Sequence, residues 1–136
     1  MTNTHINVGG HKITVNKRDK LWENPSPSSD FAAQTISIPN AGNYDKLIFE
    51  FKGHKSYLNK CGFTQVTDTT FTYSSITWND FDVNYNMAYI YGRAMLATAI
   101  NSVKFLEAFE WNSSGTKQVD NARMIPLAIY GIKLSN

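Results

Sequence analysis

The run Asn24-Pro25-Ser26-Pro27-Ser28-Ser29-Asp30 cannot be helical, so the chain must be built around an extended corner at that point. Two prolines two apart fix φ, remove two amide donors and push the residue before each away from the α region. Ser, Asn and Asp bond their own backbone and favour turns. The corner lies inside a longer stretch from Leu21 to Ile38. It opens on Leu21 and Trp22 and ends in Gln34-Thr35-Ile36-Ser37-Ile38, where Ile36 and Ile38 share one face and Thr35 and Ser37 the other. A rigid corner leading into a half-buried strand suits the rim of a β-sandwich or barrel.

The same period recurs along the chain. Thr4 to Val8 and His11 to Val15 flank Gly9-Gly10 and read as a hairpin, the glycines supplying the positive φ of a two-residue turn. From Tyr44 to Lys52, Leu47, Phe49 and Phe51 point one way, and Lys46, Glu50 and Lys52 the other. Ile48 is the one apolar residue on the outer side, the pattern of a strand with one wet face. Tyr57-Leu58 and Phe63 to Val66 read as short strands around Cys61-Gly62. Thr69 to Trp78 alternates again, and Asn79-Asp80-Phe81-Asp82 reads as a loop. From Asn86 to Trp111 two readings stand. Met87, Tyr89 and Tyr91 alternate, as do Val103, Phe105 and Phe109, which favours two strands joined near Ile100-Asn101-Ser102. Arg93 to Ile100 has helix-forming composition, and a short helix is the alternative. Asn112 to Gly115 is a turn and Lys117 to Asn121 a polar loop. The stretch Ala122 to Leu134 is apolar on both faces, so it lies inside the body or under a neighbouring subunit. Pro126 cannot donate to a ladder and marks an edge or a bulge.

The expected fold is therefore all-β, an antiparallel sandwich of jelly-roll type. It has roughly eight to ten short strands, with residues 1–20 as a hairpin extension and 21–136 as the sandwich. With 136 residues and 15.3 kDa the chain can form one real core. Charged residues are 18% against about 25% in ordinary domains, which argues against disorder. A formal charge of +2 with scattered lysines and arginines gives no nucleic-acid footprint. Cys61 is the single cysteine, read as a small hydrophobe. His5, His11 and His54 have unrelated spacings, so no metal site or cofactor is expected. The polar start lacks a signal-peptide core and no stretch approaches a membrane span, so synthesis in a cytosol and no membrane partner are expected.

Two phrases carry a resemblance. The first is Leu21-Trp22, Asn24-Pro25, Pro27, Ser29, Phe31-Ala32-Ala33-Gln34-Thr35 and Ser37, followed by Tyr44-Asp45 and Leu47-Ile48. The second is Ile125-Pro126, then Ile129-Tyr130-Gly131-Ile132-Lys133. Together they resemble the small β-sandwich domain at the C-terminus of fibre and tail proteins of phages and prophages of Gram-positive bacteria. They bracket most of the chain, and neither is catalytic. The resemblance implies a virion component, partnered by other virion proteins, commonly homotrimeric, and able to attach to a polysaccharide or teichoic acid of the host surface. The segment from Gly53 to Val119 matches nothing in that pattern, so any binding specificity is expected there.

No GxSxG, HExxH, P-loop or GxGxxG occurs. Asp80 and Asp82 sit two apart and read as loop caps, because glycoside cleavage needs two carboxylates facing across a sugar. Glu107 and Glu110 read as exposed charges or one local ion pair. No catalytic residue is assigned. Loop and strand-end aromatics are the better candidates for a site: Tyr57, Trp78, Phe81, Tyr85 and Trp111. Around them Asn59, Asn79, Asp80, Asp82, Asn84 and Asn112 could bond sugar hydroxyls. Two functions follow, a non-cleaving glycan-binding fibre or tail-tip module, or a purely structural capsid decoration or head fibre.

Overall fold

The computed structural model describes residues 4–8, 11–15, 18–58 and 62–134. Within them lie twelve strands: β1 (Thr4–Val8), β2 (His11–Val15), β3 (Arg18–Glu23), β4 (Gln34–Ser37), β5 (Lys46–His54), β6 (Gly62–Asp68), β7 (Tyr73–Asp82), β8 (Met87–Ala99), β9 (Ser102–Phe105), β10 (Phe109–Asn112), β11 (Lys117–Val119) and β12 (Arg123–Ile132). One short 3₁₀ turn, Ala41–Asn43, is the only helical piece among the described residues. The fold is all-β with antiparallel pairing throughout, a sandwich of two sheets. The smaller sheet has the order β3-β12-β5-β6. In the larger, β8 is the long spine. β7 runs along one side of it, and on the other side β10 pairs with its first half and β9 with its second. β11 and β4 then extend those two branches. The β1–β2 hairpin pairs in the register Ile6↔Ile13 and forms a separate two-stranded sheet. Its Gly9-Gly10 turn lies outside the described residues.

The core forms where the two alternating faces meet. Phe105 of β9 is its centre, with ring centroids 5.4 Å from Phe31, 6.0 Å from Trp22, 6.1 Å from Phe49 and 6.2 Å from Phe51. Three of these four contacts are edge-to-face, the arrangement that opposed ring quadrupoles prefer. Leu47, Met95, Val103, Ile125 and Ile129 fill the remaining space. Among them sits one guanidinium. Arg93 of β8 is 1% exposed. It donates from Nε to Met124 O, from Nη1 to Leu106 O and from Nη2 to Arg123 O.

The segment 86–111 resolves as the strands β8, β9 and β10, with the turn at Ile100 and Asn101 and no helix. Four local expectations are corrected. Tyr57-Leu58 is not a strand but follows a turn closed by Tyr57 N donating to His54 O. Asn79 to Asp82 is not a loop, because β7 carries on through it against β8. Lys117 to Val119 is a short strand, held by β10. Lys52 is not on a wet face: it is fully buried, and its ammonium donates to Lys55 O and Tyr57 O of the turn that folds over it. Ile48, on the same side, is buried too. The apolar closing strand β12 is covered within the one chain, between β3 and β5, and its register shifts between Pro126 and Ala128, where proline interrupts the ladder.

Candidate functional site

Alternation along β8 decides which side chains reach solvent. Tyr91, Arg93 and Met95 point into the sandwich and are buried. Ile90, Gly92, Ala94 and Leu96 therefore face out. Register then assigns the neighbours in rows across the larger sheet. Asn79, Ile90, Trp111 and Lys117 form one row, and Thr77, Gly92, Phe109 and Val119 the next. Ser75 stands beside Ala94, and Leu96 stands between Tyr73 and Lys104. The small side chains of the middle rows leave a groove of about 350 Å³ between Tyr73 on one side and Phe109 and Trp111 on the other. Gly92 lies in its floor, where an added Cβ would meet Thr77 Cγ2 at 3.3 Å. A smaller hollow of about 250 Å³ continues past Trp111 to Ala88, Asn112 and Ser113.

Trp111 is 51% exposed and Tyr73 62%, large apolar areas for side chains with so much to bury. The Lys117 ammonium lies 4.4 Å from the centroid of the Phe109 ring and 5.9 Å from that of Trp111, a cation held by ring faces. Ring edges, small hydroxyls and one cation suit a flat, hydroxylated ligand held by stacking and polar contact.

The candidate residues separate into groups. Trp111, Asn79 and Phe81 share the outer face, with Phe81 in the row of Ala88. Tyr85 is exposed in the turn between β7 and β8. Asp82 caps that turn by accepting from Asn84 N at 2.9 Å, and Asp80 accepts from Phe81 N. Trp78 points the other way, into the open end of the sandwich. There its ring packs 5.6 Å from Phe63 and 5.3 Å from Tyr91. Tyr57 covers it edge-on at 6.2 Å, and His54 lies 5.5 Å from Tyr57. The Arg123 guanidinium, 4.1 Å over the Tyr91 ring, closes this second cluster. Burial pushes the Tyr91 hydroxyl pKa up, with Arg123 opposing. Asn112 spends its side-chain oxygen inside its own turn, on Ser114 and Thr116. Asn59 and Cys61 lie outside the described residues.

Sequence reasoning missed Tyr73, Ile90, Phe109 and Lys117. Tyr73, Ile90 and Phe109 alternate correctly as strand residues, but which of two faces is outward depends on pairing with the other sheet, and Lys117 falls in a stretch that reads as a polar loop. The parity of Trp111 with Phe109 was the available signal. Among the described residues no three His, Cys, Asp or Glu side chains gather as a metal site would require. The chain matches no family model, no curated protein and no solved structure.

Proposed function

We propose that this protein is a non-catalytic binding module of a phage particle, a fibre or tail tip that holds a host cell-surface glycan against the outer face of its larger sheet. One observation carries the reading: Trp111 and Tyr73, half or more exposed, flank a groove floored by Gly92 and Ala94. An aromatic side chain left in water on a rigid strand forgoes burial worth roughly 1.5–3 kcal/mol, and a stacking ligand recovers it. The phage setting rests on the sequence phrases around Trp22, Tyr44 and Tyr130.

In this reading three copies meet on a fibre axis. The β1–β2 hairpin joins neither sheet, and a lone two-stranded hairpin is marginal in water, so we assign it to contact with neighbouring copies or virion proteins.

Ile90 and Val119 favour a second reading, because aliphatic side chains stack poorly on sugars and both are exposed, Ile90 beside Trp111 and Val119 beside Phe109. The same face would then be a seam in a capsid decoration or head fibre. Fluorescently labelled protein separates the two. Staining of intact Gram-positive cells, competed by extracted wall polysaccharide and lost in Trp111→Ala, supports the glycan module. Binding to empty capsids and not to cells supports the seam.

A further inference from the structure

At one end the larger sheet outruns the smaller. There β12 begins at Arg123, paired with His54 at the end of β5, and the Arg123 guanidinium lies over the Tyr91 ring. Past that point the inward positions of the larger sheet have no sheet opposite them. Tyr91 is buried, but Tyr89, one step outward on the same face of β8, is only half-buried, and Asp80 beside it on β7 is exposed. The Tyr89 ring stacks on Tyr91 with planes 3° apart. Asp82 stands opposite Met87, and Glu110 opposite Tyr91. The result is an uncovered inner shelf, aromatic along β8 and carboxylate-bearing along both sides.

Charges elsewhere are matched. Glu23, Asp30, Glu50, Asp68 and Asp120 each have a cation within ion-pair distance. Among the described residues, Asp80, Asp82 and Glu110 have none, and no cation lies on the Tyr89 ring. An occupant that fits this shelf has an apolar face and positive charge.

The chain carries such a segment at its other end. In the β1–β2 hairpin the register Ile6↔Ile13 places Ile6, Val8, Ile13 and Val15 on one face. Residues 1–17 hold Lys12, Lys17, His5 and His11, and no Asp or Glu. The hairpin cannot reach the shelf of its own chain. It joins the body at Arg18, opposite Ile132, which lies about 30 Å along β12 from Arg123. Tyr89 is about 7 Å further on. The link from Val15 to Arg18 and the length of one hairpin strand together span only about 25 Å.

We propose that the β1–β2 hairpin of one copy lays its apolar face on the inner shelf of the next copy, with Lys12 and Lys17 answering Asp80 and Glu110. Such a contact is head-to-tail. It closes into a ring where the rotation between copies allows and otherwise grows into a filament. A ring of three uses every hairpin and every shelf. This proposal rests on the hairpin's assignment to a neighbouring copy, adds where it lands, and is independent of the glycan reading.

The test measures the mass of the full chain by light scattering over a concentration series, with thermal midpoints as the check on folding. Wild type is expected to exceed 15.3 kDa and to fall towards it as salt rises. Lys12→Glu/Lys17→Glu and Asp80→Lys/Glu110→Lys should each stay at the single-chain mass. Mixing those two variants should restore association, because every shelf then meets a hairpin of opposite charge. Should charge reversal lower the midpoint, Asp80→Asn/Glu110→Gln keeps the shape and should weaken association about tenfold. Association lost in the hairpin variant but kept in both shelf variants overturns the shelf and leaves the hairpin's assignment standing. Two dissociated variants that do not associate when mixed also overturn the pairing of hairpin with shelf. Association kept in the hairpin variant, or a wild type that stays at 15.3 kDa at high concentration, removes both the proposal and the assignment.

Discussion

A guanidinium in the middle of an apolar sandwich loses its water, and Arg93 offsets that loss with three carbonyl oxygens in place of a carboxylate. Burial pushes its pKa down to about 10, with Glu107 opposing. The folded value lies below the unfolded one, so the charge costs stability at every pH under about 10, and the cost eases only as pH rises beyond that. Replacement by an apolar residue removes the cost but strands three carbonyls, each worth roughly 1–3 kcal/mol. Arg93→Leu should therefore destabilise by about 2–4 kcal/mol, read from urea unfolding midpoints. His54 supplies a pH signature of the same sign in a lower pH range. Its Nδ1 accepts from Ser56 N at 3.1 Å, and burial is the largest cause holding its pKa below 6.5, with Arg123 next. The unfolded chain takes the proton first, so stability falls as pH drops through about 6.5. The loss between pH 7.5 and 5.5 should be smaller in His54→Gln than in wild type, and equal losses would remove His54 as the cause.

At the scale of elements, the two phrases that stand out in the sequence hold each other. Asn24 donates from its backbone to Leu127 O and from its side chain to Pro126 O, both at 2.8 Å, while its Oδ1 accepts from Ser26 N. This pins the proline corner onto β12 at its bulge. Tyr44 lies on Gly131, where an added Cβ would come within 2.6 Å of the ring, and Tyr44 Oη donates to Asp19 at 2.8 Å. Asp45 N donates to Ile132 O, and Asp45 Oδ2 accepts from Leu134 N. These residues depend on one another in the fold, and none of them lines the groove. Gly131→Ala should cost about 1–3 kcal/mol by forcing the Tyr44 ring off the strand, seen as a lower thermal midpoint; an unchanged midpoint would contradict this packing. The period-2 strands, the turn near Asn101 and the interruption at Pro126 were legible because each is a local consequence of side-chain alternation or a missing amide. The burial of Lys52 was not, since it depends on a turn three to five residues later supplying carbonyls. Nor was the run of β7 through Asn79 to Asp82, because polar residues carry no strand signal until β8 pairs with them.

For the whole molecule, sheet pairing divides the aromatics among three jobs. Phe31, Phe49, Phe51 and Phe105 build the core, Trp78, Tyr57, Phe63 and Tyr91 close one end, and Trp111, Phe109 and Tyr73 stand in solvent on one face. Trp78 and Trp111 looked equivalent as strand-end tryptophans, and parity relative to the buried face of β8 is what separates them. The trimer we propose has its own check. Light scattering should give three times 15.3 kDa, and the single-chain mass at high concentration would contradict it. The most direct test of the central claim compares wild type with Trp111→Ala in cell staining and titration with wall polysaccharide, at matched thermal stability. The account predicts that the variant folds as well as wild type and loses at least about tenfold in binding, the equivalent of one stacked ring. Undiminished binding by a folded Trp111→Ala protein would contradict it.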